Sequence, residues 1–317
     1  MKRWKQILCL VLLALFFISV DLTIYFLFTR RCANTFGSAT AAKAIEPADY
    51  LPFGENSGVV RIDGVQTLTG ELPVLDGAAA LLPVYASVFS SLYPEDACAF
   101  SDGSYTPESR MQYRNTRGAY QAIVDGDADL IFCAKPSREQ LDYAAGKGVE
   151  LELVPIGREA FVFLVNEKNP VDNLSQQQIR DIYAGKITNW KQVGGANRLI
   201  SPLQRNEGSG SQTQFLAFMN GTPTAHSPFA FLGASIGFSF RYYVSGITQV
   251  EGIKLLEVDG MAPSVENIQS GAYPLTAEFY AVYRKGEENE NVQRILDFLL
   301  SEKGQQIIEQ SGYVPLS

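Results

Sequence analysis

The stretch LISPLQRNEGSGSQTQFLAFM (199–219) writes a strand, a turn and a helix in one run. LISPLQ (199–204) is a short apolar strand, and RNEGSGSQTQFLAFM (205–219) is a turn that passes straight into a helix. A Gly-rich turn after a strand leaves several backbone N–H groups pointing one way. The helix behind it adds its own unpaired N–H groups and a partial positive charge. Ser209 and Ser211 add hydroxyl donors, and Arg205 offers a planar fork that matches two oxyanion oxygens. Glu207 is placed to pair with Arg205 and hold that fork. The run reads as a tetrahedral-oxyanion site. Taken alone, the GSGS string is also compatible with an ordinary turn capping a helix.

Working outward, the chain alternates strands and helices. ELPVLDG (71–77) is followed by helical AAALLPVYASVFSSLY (78–93), with Pro83 making its start irregular, and DACAF (96–100) reads as a second strand. The polar stretch 101–115 reads as a loop, 116–124 as a helix and DLIFCA (129–134) as a third strand. Ser137 caps the next helix with Gln140 as its capping-box partner. FVFLVN (161–166) is a strand, and Ser175 caps a helix that ends near Gly185. IKLLEV (253–258) and FYAVY (279–283) are strands, and helical pattern closes the chain from Asn291 to Gln310. This order predicts parallel sheet covered on both sides, in two α/β lobes with a cleft between them.

Composition narrows the function. Of 317 residues, 46% are hydrophobic and 19% charged, enough for a large core. The net charge is −8, yet Lys2, Arg3, Lys5, Arg30 and Arg31 sit in or beside the N-terminal segment with one acid, Asp21. The remainder holds 21 basic and 33 acidic residues, too acidic a surface for general nucleic-acid binding. The single histidine, His226, rules out a multi-histidine zinc site and lies in a Pro/Gly-rich surface loop. No GK[ST] follows the Gly-rich turn, and Glu207 breaks the G-x-S-x-G elbow, so Ser209 lacks the context of a nucleophile. Cys9, Cys32, Cys98 and Cys133 form no CxxC. Cys98 and Cys133 fall on strands that need not touch, so a disulfide is not the expected reading.

The N-terminus suggests a compartment. Residues 1–6 form a basic tip, and the apolar run Ile7–Phe28 is 22 residues long, against about 20 for a membrane helix. Residues 7–29 read as an uncleaved anchor, with a cleaved signal peptide as the rival. Residues 30–69 read as a linker.

NPVDNLSQQQIRDIYAGKITNWKQVGG (169–195), followed by RNEGSGSQTQF (205–215), resembles the phosphate-binding proteins of ABC importers, the PstS-like family. Further matches are SIGFSF (235–240), the terminal GYVPL, DGAAALLPVYASVF (76–89) and TRGAYQAIVDGDADLIFCAKPS (116–137). The likeness covers roughly residues 70–317. It implies a type II periplasmic-binding-protein fold, α/β and two-lobed, with a hinge and a central ligand cleft. Lobe 1 would be 70–155 plus 265–317 and lobe 2 would be 156–264.

The resemblance also implies site residues. Arg205, Ser209, Gly210 and Ser211 would form the anion loop, Glu207 would support Arg205, and Thr116 would add a hydroxyl from the first lobe. Ala79 stands where the family has a hydroxyl residue, with Ala78 and Ala80 beside it, so only backbone amides are left there. Ala134 stands where the best-known members have an Asp that accepts the phosphate proton, and Lys135 where many have Arg. Asp76 could replace that acceptor, or could cap the helix and touch no ligand.

The resemblance thus implies an extracytoplasmic binding protein for an inorganic oxyanion, phosphate first, passing it to ABC permease subunits. It would be no enzyme, need no cofactor or metal, and sit on a single-pass anchor at the cell membrane of a Gram-positive bacterium. The alternative is a membrane-anchored anion sensor with weakened or altered specificity.

Overall fold

The computed structural model describes residues 4, 12–13, 15–23, 45–55, 57–225 and 233–316. The chain divides into two compact units, Met1–Ala44 and Ile45–Ser317. In the first, residues 15–23 are helical. Among the described residues no helix is long and apolar enough to cross a membrane. The anchor expected over 7–29 falls largely outside the described residues, as do most of the basic tip and the linker up to residue 44. His226 lies outside them as well.

The second unit carries the rest. Strand β1 (Leu75–Gly77) leads through a 3-10 turn (Ala79–Leu81) into α1 (Leu82–Leu92). A small hairpin, β2 (Phe100–Ser101) and β3 (Ser104–Tyr105), precedes α2 (Asn115–Asp125), β4 (Leu130–Cys133) and α3 (Arg138–Gly146). The long β5 (Leu151–Asn166) is followed by β6 (Asn173–Leu174), α4 (Gln176–Tyr183), β7 (Ile200–Pro202), α5 (Gly210–Met219) and β8 (Ala234–Phe240). Then come β9 (Ile253–Leu255), β10 (Glu257–Val258), α6 (Val265–Gln269), β11 (Thr276–Arg284), α7 (Glu290–Leu300) and α8 (Glu302–Gln310).

The main sheet runs β1-β4-β11-β5-β8-β7, with β9 also on β5. It is mixed, which corrects the expectation of parallel sheet. β1 pairs parallel with β4 and β7 with β8, while β11 is antiparallel to both β4 and β5. The cause is the path of β5. Its first part, Leu151–Ala160, pairs with β11, and its second part, Phe161–Val165, pairs antiparallel with β8. One strand thus serves both halves of the sheet, and the returning β11 must run against it. Only the apolar second part is legible as a strand in the sequence, because the first part (LELVPIGREA) carries charges and is largely half-exposed.

Alternation along the strands builds two cores on the first half. Leu130 and Phe132 face one cluster with α1, α7 and α8, while Ile131 and Cys133 face another with α2 and α3. Every residue of α1 is buried, which explains why its sequence holds only apolar residues and three serines. The second half has its own core around Phe161, Phe163, Tyr183, Trp190, Phe215 and Phe238. Phe215 and Phe238 stack with centroids 4.4 Å apart. Trp190 is 1% exposed, and its indole N–H donates to the Ala234 carbonyl at 3.0 Å. Trp190→Ala is expected to cost about 3–5 kcal/mol, read as a lowered urea midpoint with an unchanged denaturant slope.

Local chemistry matches the sequence where caps decide it. Ser137 and Ser175 both close capping boxes, with Gln140 and Gln178 as partners. Elsewhere tertiary context wins. DACAF forms a 3-10 turn at Glu95–Ala97 and only two residues of strand, off the main sheet. Cys98 is therefore not on a sheet strand, and it and buried Cys133 are free thiols. The 253–258 strand breaks at Leu256, and the closing helix breaks at Ser301, whose ψ of 165° is extended. Residues 45–69, expected within the linker, pack onto the body: Ile45 and Leu68 are buried in the α1 core. The Val60 and Ile62 N–H groups donate to Ser87 and Ser91 of α1.

Candidate functional site

A cavity of about 360 Å³ opens where three helical N-termini meet. Ala78–Leu81 line it from the 3-10 turn after β1, Asn115–Arg117 from the start of α2, and Arg205–Ser211 from the loop leading into α5. Helix starts leave N–H groups without intrahelical partners and carry partial positive charge. Here the N–H groups of Ala79, Ala80, Gly210 and Ser211 have no backbone acceptor among the described residues. The Gln212 N–H is taken by the Ser209 hydroxyl at 3.2 Å, so Ser209 is the N-cap of α5. Gln212 reaches back and accepts from the Arg205 N–H at 2.9 Å, which fixes the loop that carries Arg205.

The cavity gathers Ala79, Thr116, Arg205, Glu207, Ser209, Gly210 and Ser211, all singled out from sequence. A Cβ built on Gly210 would lie 3.4 Å from the Ala134 Cβ and 3.7 Å from the Thr116 hydroxyl. The start of α5 therefore sits directly against the end of β4 and the start of α2. The hydroxyls of Thr116 and Ser211 have no partner among the described residues and are free to donate.

Two expectations change. Glu207 lines the cavity but makes no ion pair with Arg205; both side chains are exposed, and Gln212 steadies the loop through the Arg205 backbone instead. Asp76 does not line the cavity. It is fully buried, and its carboxylate accepts from the Arg114 guanidinium at 2.7 Å, the Arg114 N–H at 3.0 Å and its own neighbour Gly77 at 2.8 Å. Burial pushes its carboxyl up, against the pull of Arg114 and the Gly77 N–H. Its oxygens are committed to anchoring the segment before α2, which positions Thr116.

Other lining residues gave no signal in sequence. Glu159 lies at the middle of β5, buried, and accepts from Arg241 at 3.1 Å and from the Tyr242 N–H at 3.0 Å. Burial pushes its carboxyl up, opposed by Arg241. Glu159 sits in REAF, a polar interruption with no motif around it. Tyr243 opens a one-turn π-helix, Tyr243–Ile247, of the kind often found at functional sites. Burial pushes its phenol up, and the charge of Arg205 opposes that. Tyr243 thus lines the same cavity as Arg205. Tyr243→Phe keeps the ring and removes the hydroxyl. It is expected to weaken oxyanion binding by roughly tenfold, measured by calorimetric titration.

Among the described residues no group of His, Cys, Asp and Glu is arranged to hold a metal ion. The arrangement suits an enclosed anion: it has oriented amides, free hydroxyls and an arginine with no partner among the described residues. Fold and cavity together define a two-lobed α/β binding protein whose site lies among helix N-termini.

Comparison with known proteins agrees. The sequence profile of the PBP superfamily domain matches residues 77–303, and the chain belongs to that family. The phosphate-binding protein PstS of Bacillus subtilis is 26% identical over 271 residues, covering 80% of this chain and 83% of its own. The protein SphX of Synechococcus elongatus is 27% identical over 293 residues, covering 77% of this chain and 86% of its own. Among solved structures, a Clostridium perfringens substrate-binding protein with bound phosphate superimposes with a TM-score of 0.56 at 20% identity. The match covers 82% of this chain and 100% of that one. An ABC-type phosphate transport receptor from Vibrio cholerae gives 0.53 at 19% identity, covering 76% and 98%.

Proposed function

We propose that the chain captures a tetrahedral oxyanion, inorganic phosphate first, as the extracytoplasmic binding component of an ABC importer. The observation that carries this is the convergence of free helix-start N–H groups from α2, α5 and the turn after β1 on a cavity holding Arg205, which has no partner among the described residues. The similarity to the phosphate-binding protein PstS of Bacillus subtilis supports phosphate as the ligand.

Capture makes and breaks no bond. Arg205, Ser209, Gly210 and Ser211 hold the anion from one side; Thr116 and the amides at Ala79 and Ala80 hold it from the other. Lobes of 70–155 with 265–317 and 156–264 are the division that the resemblance implies; the Phe161 core also takes in Ile268, Tyr273 and Leu275, which moves the return crossover toward the start of β11. The lobes hinge through β5, the strand that runs from one to the other, and through the return of the chain into β11. The chain hands its ligand to permease subunits, and the apolar run Ile7–Phe28 tethers the body outside the membrane of a Gram-positive cell.

With Asp76 tied to Arg114, the carboxylates left to accept a ligand proton are those on the cavity wall, Glu159, Glu207 and Glu278. Glu159 is already engaged by Arg241. Glu278 already accepts from the Tyr280 hydroxyl at 2.8 Å, so selection of protonated phosphate over sulfate falls to Glu207. The alanine wall at 78–80 and 134 favours a second reading, an anion sensor with altered specificity. Thermal melts separate these. A phosphate receptor gains about 2.7 kcal/mol of stability at a ligand concentration 100 times Kd, so melting temperature climbs with phosphate. A melting temperature unmoved by phosphate contradicts the proposal, and one raised equally by sulfate supports the sensor reading.

A further inference from the structure

The first turn of α3 reaches across to the anion loop. Gln140 is 7% exposed, and its side-chain amide makes two different bonds. The carbonyl accepts from the Ser137 N–H at 2.8 Å and completes the capping box of α3. The amino group donates to the Gly208 carbonyl at 3.3 Å, across 68 residues of sequence. Gly208 lies in the turn between Arg205 and Ser209, with a φ of +78°. That left-handed conformation sets where its carbonyl points. A Cβ there would lie 3.4 Å from Arg117 Cδ, and Arg117 is itself bonded to Glu139 of α3 at 2.9 Å. The turn is therefore seated against α3 and α2, although its own helix, α5, belongs to the Phe215 core.

We infer that Gln140 is a closure latch. Its amino group holds the anion loop in the docked position, so that the time a captured anion stays bound depends on this bond. The inference rests on the oxyanion-capture reading. Gln140 is a positioning residue: it touches the loop and leaves the anion to Arg205, Ser209, Gly210 and Ser211. In the sequence Gln140 is explained by its cap alone; its buried second bond has no role in the helix.

The test separates latch from cap. Gln140→Glu keeps the acceptor for the Ser137 N–H and removes the donor to Gly208. Ser137→Ala removes the cap and keeps the donor. Phosphate dissociation is followed by stopped flow, and hydrogen exchange of residues 206–212 is read without added anion. In Gln140→Glu the off-rate is expected to rise about tenfold, with the on-rate within about twofold and faster exchange in the loop. Ser137→Ala should lower the melting temperature and leave the off-rate alone. Unchanged loop exchange in Gln140→Glu overturns the latch, and so does an equal off-rate increase in Ser137→Ala. If wild type takes up no phosphate while the exchange difference persists, the capture reading fails and the latch stands as a contact of the loop.

Discussion

Arg205→Ala is expected to reduce phosphate affinity at least a hundredfold while leaving the melting temperature of the ligand-free protein unchanged. The guanidinium has no ion-pair or hydrogen-bond partner among the described residues, and the side chain is exposed in the cavity. Removing it therefore takes nothing from the fold. A bond to a charged partner is worth about 1.5–3 kcal/mol, and a guanidinium can make two at once to a tetrahedral anion. At about 1.4 kcal/mol per factor of ten, two such bonds correspond to a hundredfold or more. Arg205→Lys should recover only part of the loss, because an ammonium cannot reproduce the fork. Calorimetric titration of the two variants beside wild type measures this. A loss smaller than about tenfold would mean that backbone amides alone carry the anion.

The second large effect belongs to Glu159. Its carboxylate ties β5 to Arg241 and to the Tyr242 N–H, and Arg241 in turn donates to the Gly312 carbonyl at 2.9 Å. The pair is nearly closed to solvent, with side-chain exposures of 13% for Arg241 and 4% for Glu159. Glu159→Ala leaves a buried guanidinium without its counter-charge, and about 3–5 kcal/mol of stability should go with it. Denaturant unfolding reads the loss directly.

The pH dependence of this residue has a definite sign. Burial holds the folded-state pKa of Glu159 above its unfolded value. The stability linked to its protonated form is complete below the unfolded value of about 4.3. It is lost as pH rises through the folded value. Glu159→Gln should remove that component, flattening the fall in stability over this window. A Glu159→Gln profile parallel to wild type would show that the residue does not titrate there.

Much of this site was legible because it is local. An anion loop written as Arg-Asn-Glu-Gly-Ser-Gly-Ser places its donors by turn geometry and a following helix, and short-range rules suffice. The same holds for Ser137 and Ser175, whose partners lie three residues away. Thr116 was reached only through resemblance, and its place beside Gly210 depends on how β4 and α5 pack.

What stayed hidden depends on distant contacts. Asp76 read as a ligand acceptor or a helix cap, because its partner Arg114 is 38 residues away. Glu159 drew no reading, because it precedes the apolar run FVFLVN and its partner Arg241 is 82 residues away. The antiparallel course of β11 arises because the chain leaves one half of the sheet along β5 and comes back. No periodicity in FYAVY records that return. Tyr243 was passed over because RYYVSGI follows neither a helical nor a strand period, as a π-turn would not.

Uptake of a tetrahedral oxyanion by this cavity is decided by isothermal titration of inorganic phosphate, then sulfate and molybdate, into protein stripped of bound anion. The expected result is saturable phosphate binding, at a micromolar Kd or tighter, that Arg205→Ala weakens at least a hundredfold. The absence of heat with all three anions, in protein that is folded by its melting curve, would contradict capture of an oxyanion.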